Sequence, residues 1–173
     1  MIKENEFEEI YKILEQSFEP FLHRGYKRQK ELLKNEKYNI IKYEEDGELI
    51  GFLTYWEINK NLYFVEHFAV NPQKRGGGIG KKIFNEFLKL DGDKILEVEP
   101  PHTENDKRRI KLYESLGLIF HEDEYYQPPY NLNDEKTRLH IMCSKKLDEK
   151  DFDKFIRDIY KNVYNVEKEQ IFN

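Results

Sequence analysis

Near the middle of the chain, a cluster of glycines separates two regular patterns of apolar residues. Residues 76–80 read Gly-Gly-Gly-Ile-Gly; an apolar run, Leu62 to Val70, comes before them, and apolar residues at helical spacing from Ile79 to about Leu90 come after. Glycine has no Cβ, so the backbone can approach a ligand closely, and the first turn of a helix directs N–H groups and a positive dipole to the same point. This order predicts an anion site that suits a pyrophosphate.

Two common nucleotide-binding loops do not match this segment. A Walker loop requires Ser or Thr after Gly-Lys, but Lys82 follows Gly80-Lys81. A dinucleotide fingerprint requires glycine three places after Gly80, where the chain has Ile83. The remaining alternative is that the glycines form only a flexible turn, which is their commonest use.

The composition favours one globular domain, which we expect to span residues 1–173. Hydrophobic residues make up 38% of the chain, and twelve Phe and twelve Tyr can fill a core. The net charge of −5 argues against a non-specific nucleic-acid partner. The N-terminal residues are charged and no apolar run is long enough to span a membrane, so we expect a cytoplasmic protein without a membrane partner. Because Cys143 is the only cysteine, a disulfide within the chain and a cysteine-rich zinc site are excluded.

The first part of the chain predicts two helices joined by an aromatic loop. Apolar residues at helical spacing predict a helix over residues 5–18, with Asn5 as its cap and Pro20 as its end. A second, more polar helix is expected at about residues 27–36. The connection, residues 19–26, is unusually aromatic for a loop, which indicates that it faces a ligand.

Three strands are expected next. Residues 39–43 and 48–58 predict a hairpin whose turn is marked by the pair Asp46-Gly47. The third strand, Leu62 to Val70, is largely apolar and therefore central, and alternation places Glu66 on the same side as Phe64 and Phe68.

The second part of the chain adds one strand, one helix and a strand pair. Residues 94–99 form a strand that is reached from the third strand through a helix, which implies a parallel pairing. A helix over residues 104–116 ends at Gly117. Residues 118–121 and 138–144 predict a final strand pair, joined through residues 125–130.

An amphipathic helix at about 148–165 follows, and it either packs on the core or builds a dimer, so a monomer or a homodimer is expected. The fold class is therefore α+β, a mixed α/β architecture.

Two segments together resemble the GNAT acetyltransferases. The segment Arg75-Gly76-Gly77-Gly78-Ile79-Gly80 is similar to the family signature of Arg or Gln, two residues, Gly, one residue, and Gly or Ala. Downstream, Tyr113 lies in a helix that ends in the pair Leu116-Gly117, which is a second family feature. The resemblance covers roughly residues 48–120. It implies a central, mostly antiparallel sheet of about six strands with one parallel pair splayed at the CoA site, and helices on both faces.

The resemblance also implies acetyl-CoA as co-substrate, with no metal. Main-chain N–H groups of the glycine segment would hold the pyrophosphate, the end of the third strand would pair with the pantetheine arm, and Arg75 and Lys81 would add charge. Position 106, where the family usually has Asn, is Asp106 here, and Asp106 or Asn105 can cap its helix. The residues implied to bind the co-substrate are Phe68, Ala69, Val70, Arg75, Gly76, Gly77, Gly78, Ile79, Gly80, Lys81, Asp106 and Tyr113.

Acetyl transfer to an amine needs a neutral amine, a donor for the developing oxyanion and a proton for the leaving thiolate. By family position Tyr113 is the acid, although a helix aromatic can also serve only in the core. The segment Leu96-Glu97-Val98 resembles a strand of the ribosomal-protein N-terminal acetyltransferases, which makes Glu97 the first choice of base. Glu66 is the second choice, because burial beside aromatics would raise its pKa, and His102 is the third.

In this family the first inter-helix loop and the last strand pair generally select the acceptor. The corresponding residues are Phe21, His23, Tyr26, Tyr126 and Tyr130. With the acidic residues 122–124 nearby, this aromatic surround would suit a cationic amine; alternatively, the aromatics only cover the edge of the sheet.

The sequence therefore predicts an N-acetyltransferase that acts on a primary amine of a small molecule or peptide. A catalytically silent acyl-CoA-binding or regulatory module is the alternative, and it would keep the glycines without needing Tyr113. A structural protein that docks through its C-terminal helix would leave the glycine segment unexplained.

Overall fold

The computed structural model describes residues 2–172. Its strands are β1 (Tyr38–Glu45), β2 (Glu48–Asn59), β3 (Leu62–Val70), β4 (Asp93–Val98), β5 (Ile119–Gln127) and β6 (Thr137–Cys143). Its α-helices are α1 (Glu4–Ser17), α2 (Tyr26–Glu31), α3 (Ile79–Leu88), α4 (Glu104–Ser115), α5 (Glu149–Ile159) and α6 (Lys168–Phe172). Three 3₁₀ turns, Pro20–Leu22, Leu32–Lys34 and Pro72–Lys74, and one π-helical turn, Tyr160–Tyr164, complete the set within this range.

The strands form one mixed sheet flanked by helices. Their order is β1-β2-β3-β4-β6-β5, and β3 with β4 is the parallel pair in an otherwise antiparallel arrangement. The predicted fold class is confirmed, including the parallel pairing that follows from a helical connection between these two strands. Within residues 2–172, no helix is both long and apolar enough to cross a membrane.

Contacts within the fold divide the chain into two compact units, described separately below. The first contains the described residues up to Glu57 and also Val65–Asp91. The second contains Ile58–Phe64 and the described residues from Gly92 onward.

In the first unit, the predicted hairpin and helix α1 are both present. Asp46 and Gly47 have φ of 51° and 80°, the two positive values that a tight hairpin turn between β1 and β2 requires. The buried face of α1 packs against β2 and β3 through a cluster that contains Phe7, Ile10, Tyr11, Ile13, Leu14, Leu49, Phe52 and Ala69. Burial of this apolar stripe stabilises α1 far more than helix propensity does.

Asn5 does not cap α1, contrary to the expectation. The helix begins one residue earlier, because the Glu6 carboxylate accepts a hydrogen bond from the Lys3 main-chain N–H at 2.6 Å. It ends at Ser17, ahead of Pro20, which instead begins a 3₁₀ turn. The second helix is also shorter than expected, since α2 ends at Glu31 and continues only as a 3₁₀ turn.

Helix α3 lies directly on the sheet of the first unit because of one glycine. A Cβ on Gly51 of β2 would stand 2.7 Å from both the Ala69 carbonyl oxygen and Ile83 Cδ1. The absence of a side chain at Gly51 therefore allows Ile83, which is fully buried, to reach the strand surface. This contact fixes the start of α3 close to the end of β3.

In the second unit, β5 is longer than predicted. It reaches Gln127, so Tyr125 and Tyr126 belong to the strand and not to the connection that the sequence suggested. The pairing of β5 with β6 is interrupted between His121 and Tyr125, which leaves the acidic residues 122–124 outside the regular ladder. Such a bulge hides the strand pattern because the alternation of apolar and polar residues changes phase.

Helix α4 has a capping box that includes Asp106, one of the two residues predicted to cap this helix, together with Thr103, which was not predicted. Thr103 is the N-cap: its hydroxyl accepts from the Asp106 N–H at 3.1 Å, and the Asp106 carboxylate accepts from the Thr103 N–H at 2.8 Å. At the other end Gly117 has φ of 90°, as predicted for a residue that ends a helix. The C-terminal amphipathic segment is α5, capped by Asp148 and extended by the π-helical turn.

Candidate functional site

The glycine segment is an open loop at the N-terminus of α3. Gly76, Gly77 and Gly78 have φ of 113°, 60° and 72°, values that residues with a side chain rarely adopt. All three are exposed, and a Cβ built on any of them would meet no atom within 4 Å. The loop is therefore not covered by its own side chains, and its backbone is accessible to a ligand.

The main-chain N–H groups of this loop differ in what they already bind. The Lys82 N–H donates to the Gly78 carbonyl at 3.1 Å, the first regular bond of α3, and the Ile79 N–H makes a long 3.3 Å contact with the Gly76 carbonyl. The first turn of an α-helix has no helical acceptors for its N–H groups, and Gly80 and Lys81 lie in that turn. Of the main-chain N–H groups from Gly76 to Lys81, that of Ile79 thus has an acceptor inside the loop.

The end of β3 lies beside this loop in the same unit. The Arg75 Nε–H donates to the Val70 carbonyl at 3.4 Å, and the Phe68 ring packs on the Phe84 ring of α3 with centroids 5.6 Å apart. Ala69 is buried under α1. The end of β3 at Phe68 and Ala69 is thereby held by packing on α3 and α1.

Glu66, the second candidate base, is part of a buried ion pair. Its carboxylate accepts from the Arg24 guanidinium at 2.6 Å, and its side chain is 0% exposed. Burial raises the pKa of Glu66, but the charges of Arg24 and His67 and hydrogen bonds to the carboxylate outweigh burial, so the pKa lies below its usual value. The expectation of a raised pKa is wrong, because the pairing of this carboxylate with Arg24 cannot be read from the sequence.

The aromatic loop before α2 contacts β3 and is only partly exposed to solvent. Besides the Arg24 pair, the His67 Nε2 lies 2.9 Å from the Leu22 carbonyl oxygen. His23 is only 6% exposed, with Nδ1 3.0 Å from the Arg24 carbonyl oxygen, and Tyr26 packs edge-on against Tyr11. Of the three residues predicted here to contact an acceptor, Phe21, at 43% exposure, is the one that faces solvent.

In the second unit, Tyr113 is buried on α4 at 6% exposure. Burial raises the pKa of its phenol; Arg109 opposes this effect and Glu99 adds to it. The Arg109 guanidinium is hydrogen-bonded to the Glu99 carboxylate. A phenol with a raised pKa stays protonated at neutral pH, as a proton donor must.

Asp106 and His102 lie at the start of α4. The Asp106 carboxylate is engaged in the capping box with Thr103, which lowers its pKa through hydrogen bonds from that residue. His102 is exposed, and its main-chain N–H donates to the Pro100 carbonyl at 2.7 Å. The structure thus assigns Asp106 a definite role in the helix cap.

Glu97, the first-choice base, is the centre of a hydrogen-bonded cluster. Its carboxylate accepts from the Tyr125 hydroxyl, from Gln127 Nε2 at 2.6 Å, and from the Tyr164 hydroxyl at 2.9 Å to each oxygen. The Tyr130 hydroxyl lies 3.2 Å from that of Tyr164. Glu97 itself is partly exposed, whereas Tyr125 and Gln127 are buried.

The two acceptor residues predicted on the last strand pair have different surroundings. The ring of Tyr126 is already approached by two cations of the chain, Lys136 Nζ at 4.7 Å and the Arg138 guanidinium at 5.4 Å from its centroid. Tyr130 is 3% exposed and packs against the tilted ring of Tyr164, with centroids 5.2 Å apart. The expected cation–π attraction of an acceptor to Tyr126 therefore competes with the protein's own cations.

A family model described as the acetyltransferase (GNAT) family matches residues 7–118. The chain belongs to the GNAT acetyltransferase family. A solved structure described as a GNAT-family acetyltransferase from Bacteroides thetaiotaomicron is 34% identical, with a TM-score of 0.86 over 94% of this chain and 94% of that chain. No curated protein sequence matches the chain.

More distant solved GNAT structures share the fold. The ribosomal-protein-S18-alanine N-acetyltransferase from Escherichia coli is 20% identical over 85% of this chain and 93% of that chain, with a TM-score of 0.62. An aminoglycoside 6'-N-acetyltransferase complexed with coenzyme A is 16% identical over 84% of this chain and 95% of that chain, with a TM-score of 0.60. At these identities the likeness concerns the fold alone.

The GNAT chain has a loop that fits the diphosphate of coenzyme A. Three consecutive glycines with positive φ and open space around them leave main-chain N–H groups accessible at a helix N-terminus. Lys81 and Lys82 are exposed in the first turn of α3, and Lys82 Nζ lies 3.1 Å from the Tyr43 hydroxyl. The donor set therefore suits an anion.

Sequence reasoning missed the partners of both candidate bases. Arg24 was not distinguished from other loop residues, because arginine is mostly exposed in proteins and is buried only when it is paired. Tyr164 was missed because the C-terminal helix was predicted from its apolar face alone, which includes Phe152, Phe155 and Val163. Tyr160 and Tyr164, four residues apart on one helical face, were the available sign of a second, polar function for that segment.

Proposed function

We propose that this GNAT protein transfers the acetyl group of acetyl-CoA to a primary amine of a small molecule or a peptide. The observation that carries the proposal is the open loop of three positive-φ glycines before α3, in a chain whose family uses acetyl-CoA. Two neighbours in fold are named for N-acetylation, one of a ribosomal-protein alanine and one of an aminoglycoside. These names support an amine as the acceptor and leave its size open.

In the proposed reaction the neutral amine attacks the thioester carbonyl, a C–N bond forms, and the C–S bond breaks. The main-chain N–H groups of Gly76, Gly78, Gly80 and Lys81 bind the diphosphate, with Arg75 as an additional charge. The end of β3 at Phe68, Ala69 and Val70 binds the pantetheine arm by main-chain hydrogen bonds.

Two side chains move the protons. Glu97 takes a proton from the amine, directly or through water, and its three hydrogen-bond donors favour the carboxylate form that this role requires. Tyr113 gives a proton to the leaving thiolate, since its buried phenol carries a proton at neutral pH. Glu66 is not proposed as the base, because its pairing with Arg24 stabilises the structure around the loop before α2.

A silent acyl-CoA-binding module is the second candidate. The observation that favours it is that both acidic side chains considered as bases, Glu66 and Glu97, already accept hydrogen bonds from the protein. This candidate predicts tight binding of acetyl-CoA with no amine-dependent release of coenzyme A.

One experiment separates these candidates. Binding of acetyl-CoA is measured by calorimetry, and release of the free thiol is then followed with amino acids, polyamines, aminoglycosides and N-terminal peptides. We expect submillimolar binding and amine-dependent thiol release with at least one class. Binding without release from any amine supports the silent module, and absence of binding contradicts both candidates.

A further inference from the structure

Tyr164 lies outside the part of the chain that the family model matches, yet it contacts the proposed base. The model match ends at residue 118, whereas Tyr164 closes the π-helical turn after α5. Its hydroxyl is 2.9 Å from Oε1 and 2.9 Å from Oε2 of Glu97, so one O–H bridges both carboxylate oxygens. The C-terminal segment therefore contributes directly to the environment of Glu97.

The position of Tyr164 is fixed by contacts on three sides. The Tyr130 hydroxyl lies 3.2 Å from the Tyr164 hydroxyl, and the two rings pack at a tilt of 42° with centroids 5.2 Å apart. One turn earlier, the Tyr160 hydroxyl donates to the Tyr126 carbonyl at 2.5 Å and anchors the same helical segment to β5. Asn165, with φ of 57°, ends the turn, and the Val166 N–H returns to the Tyr160 carbonyl at 3.1 Å. π-Helical turns often occur where a helix must direct a side chain to a functional site.

The three donors to Glu97 hold its carboxylate in one orientation. Tyr125 donates to Oε1 and Gln127 to Oε2, both from β5, and Tyr164 spans the two oxygens from the C-terminal segment. The titratable groups that face Glu97 are the phenols of Tyr125, Tyr160 and Tyr164, with Tyr130 behind them. Burial, and next the charge of Glu97, raise the pKa of the phenols of Tyr125, Tyr160 and Tyr164, so those phenols stay neutral donors across the usual assay range.

We propose that Tyr164 is a positioning residue for acetyl transfer: it orients the Glu97 carboxylate toward the acceptor amine and stabilises its anionic form. The C-terminal helical segment is then part of the acceptor site and not only a cover for the sheet. This inference rests on the proposed function, in which Glu97 accepts the proton of the amine.

The test compares Tyr164→Phe with the wild-type chain, using an amine that the screen identifies. Loss of one donor destabilises the carboxylate, so the rising limb of the pH–rate profile moves to higher pH, and kcat at neutral pH falls about tenfold while KM for acetyl-CoA changes less than about twofold. Tyr38→Phe is the control, since it also removes one buried tyrosine hydroxyl that bonds a side chain, Gln29 Nε2 at 2.9 Å, away from Glu97 and from the glycine loop. We expect Tyr38→Phe to keep the pH limb of the wild type.

A double variant shows whether Tyr164 acts through Glu97. In the Glu97→Gln background, Tyr164→Phe should lower kcat no further, because the group that it positions is already absent. Tyr160→Phe removes a hydroxyl from the same segment and should lower the thermal midpoint without moving the pH limb, which separates positioning from support of the fold.

Two results would overturn the proposal: an unshifted pH limb in Tyr164→Phe, or an equal loss of kcat in the presence and absence of the Glu97 carboxylate. Failure of the proposed function has a different signature, since the wild-type chain would then bind acetyl-CoA without transferring acetyl to any amine. In that case the inference fails with it.

Discussion

Positive φ at Gly76, Gly77 and Gly78 makes the loop before α3 sensitive to any side chain. At Gly78, φ of 72° strains other residues, and a side chain there would project into the space where a ligand approaches the amides of α3. A carboxylate at this point would also oppose the negative charge of a diphosphate.

We therefore expect Gly78→Glu to weaken acetyl-CoA binding at least about tenfold, measured by calorimetry. Gly47→Glu is the matched control: Gly47 has φ of 80° and open space, so the substitution has similar backbone strain and the same charge in the β1–β2 turn. Equal affinity of the two variants would show that the loop before α3 does not bind the diphosphate.

Tyr113 is the residue whose proposed role depends most on one hydroxyl. Tyr113→Phe keeps the buried ring on α4 and removes only the proton donor, so turnover should fall about a hundredfold while affinity for acetyl-CoA stays within about twofold. Steady-state kinetics and calorimetry measure the two quantities separately. Unchanged turnover would assign Tyr113 to the core alone.

A buried ion pair between Arg24 and Glu66 connects the loop before α2 to β3. The order of helices and strands along the chain does not predict this pair. Arg24 is 5% exposed and the Glu66 side chain 0%, so removing one partner leaves the other charge buried. We expect Glu66→Gln to lower the free energy of unfolding by about 3 kcal/mol at pH 7, measured by urea denaturation. The double variant Glu66→Leu/Arg24→Met should recover part of this loss, and an equal or larger loss would contradict the explanation.

The same pair has a defined pH dependence. The pKa of Glu66 in the folded chain is below its usual value of 4.5, so the folded state favours the carboxylate. Its stabilising contribution is therefore fully present above pH 4.5 and is lost as pH falls through the lowered folded value. Accordingly, wild type and Glu66→Gln should converge in stability only in acid. His67, whose pKa is lowered by burial, adds a loss of stability below its usual value of 6.5 in both proteins.

How well an element could be predicted depended on how local its determinants are. Four features follow from signals that act within a few residues. The pair Asp46-Gly47 predicts the β1–β2 turn and alternation predicts β3. Helical spacing predicts α3, and Gly117 predicts the end of α4. The extension of β5 to Gln127 depends on pairing with β6 across a bulge, which no nearby residue signals. The glycine loop could be located because its signal lies within a few residues. The surroundings of Glu66 and Glu97 were missed because they depend on residues that are distant in the sequence.

For the whole molecule, the division into two compact units raises the question of how many cooperative transitions the chain has. Two of the three boundaries fall inside strands, in β2 after Glu57 and in β3 after Phe64, so these two continuous strands belong partly to each unit. Unfolding of one unit alone would break β2 and β3 in the middle and sever their hydrogen bonds. We therefore expect the chain to unfold as one domain. We expect coincident thermal transitions by circular dichroism and by tryptophan fluorescence from Trp56.

Acetyl-CoA binding should shift that single transition, because a ligand that binds only the folded chain adds its binding free energy to stability. At a concentration about one hundred times Kd the gain is about 2.7 kcal/mol, which for a chain of this size raises the midpoint by about 5 to 10 °C. With binding at least tenfold weaker, the Gly78→Glu variant should gain at most about 1.4 kcal/mol and so show at most about half of this shift, whereas Gly47→Glu should show the full one. Were acetyl-CoA to move only part of a biphasic transition, the chain would not unfold as a single domain; were it to stabilise Gly78→Glu fully, the diphosphate would bind elsewhere.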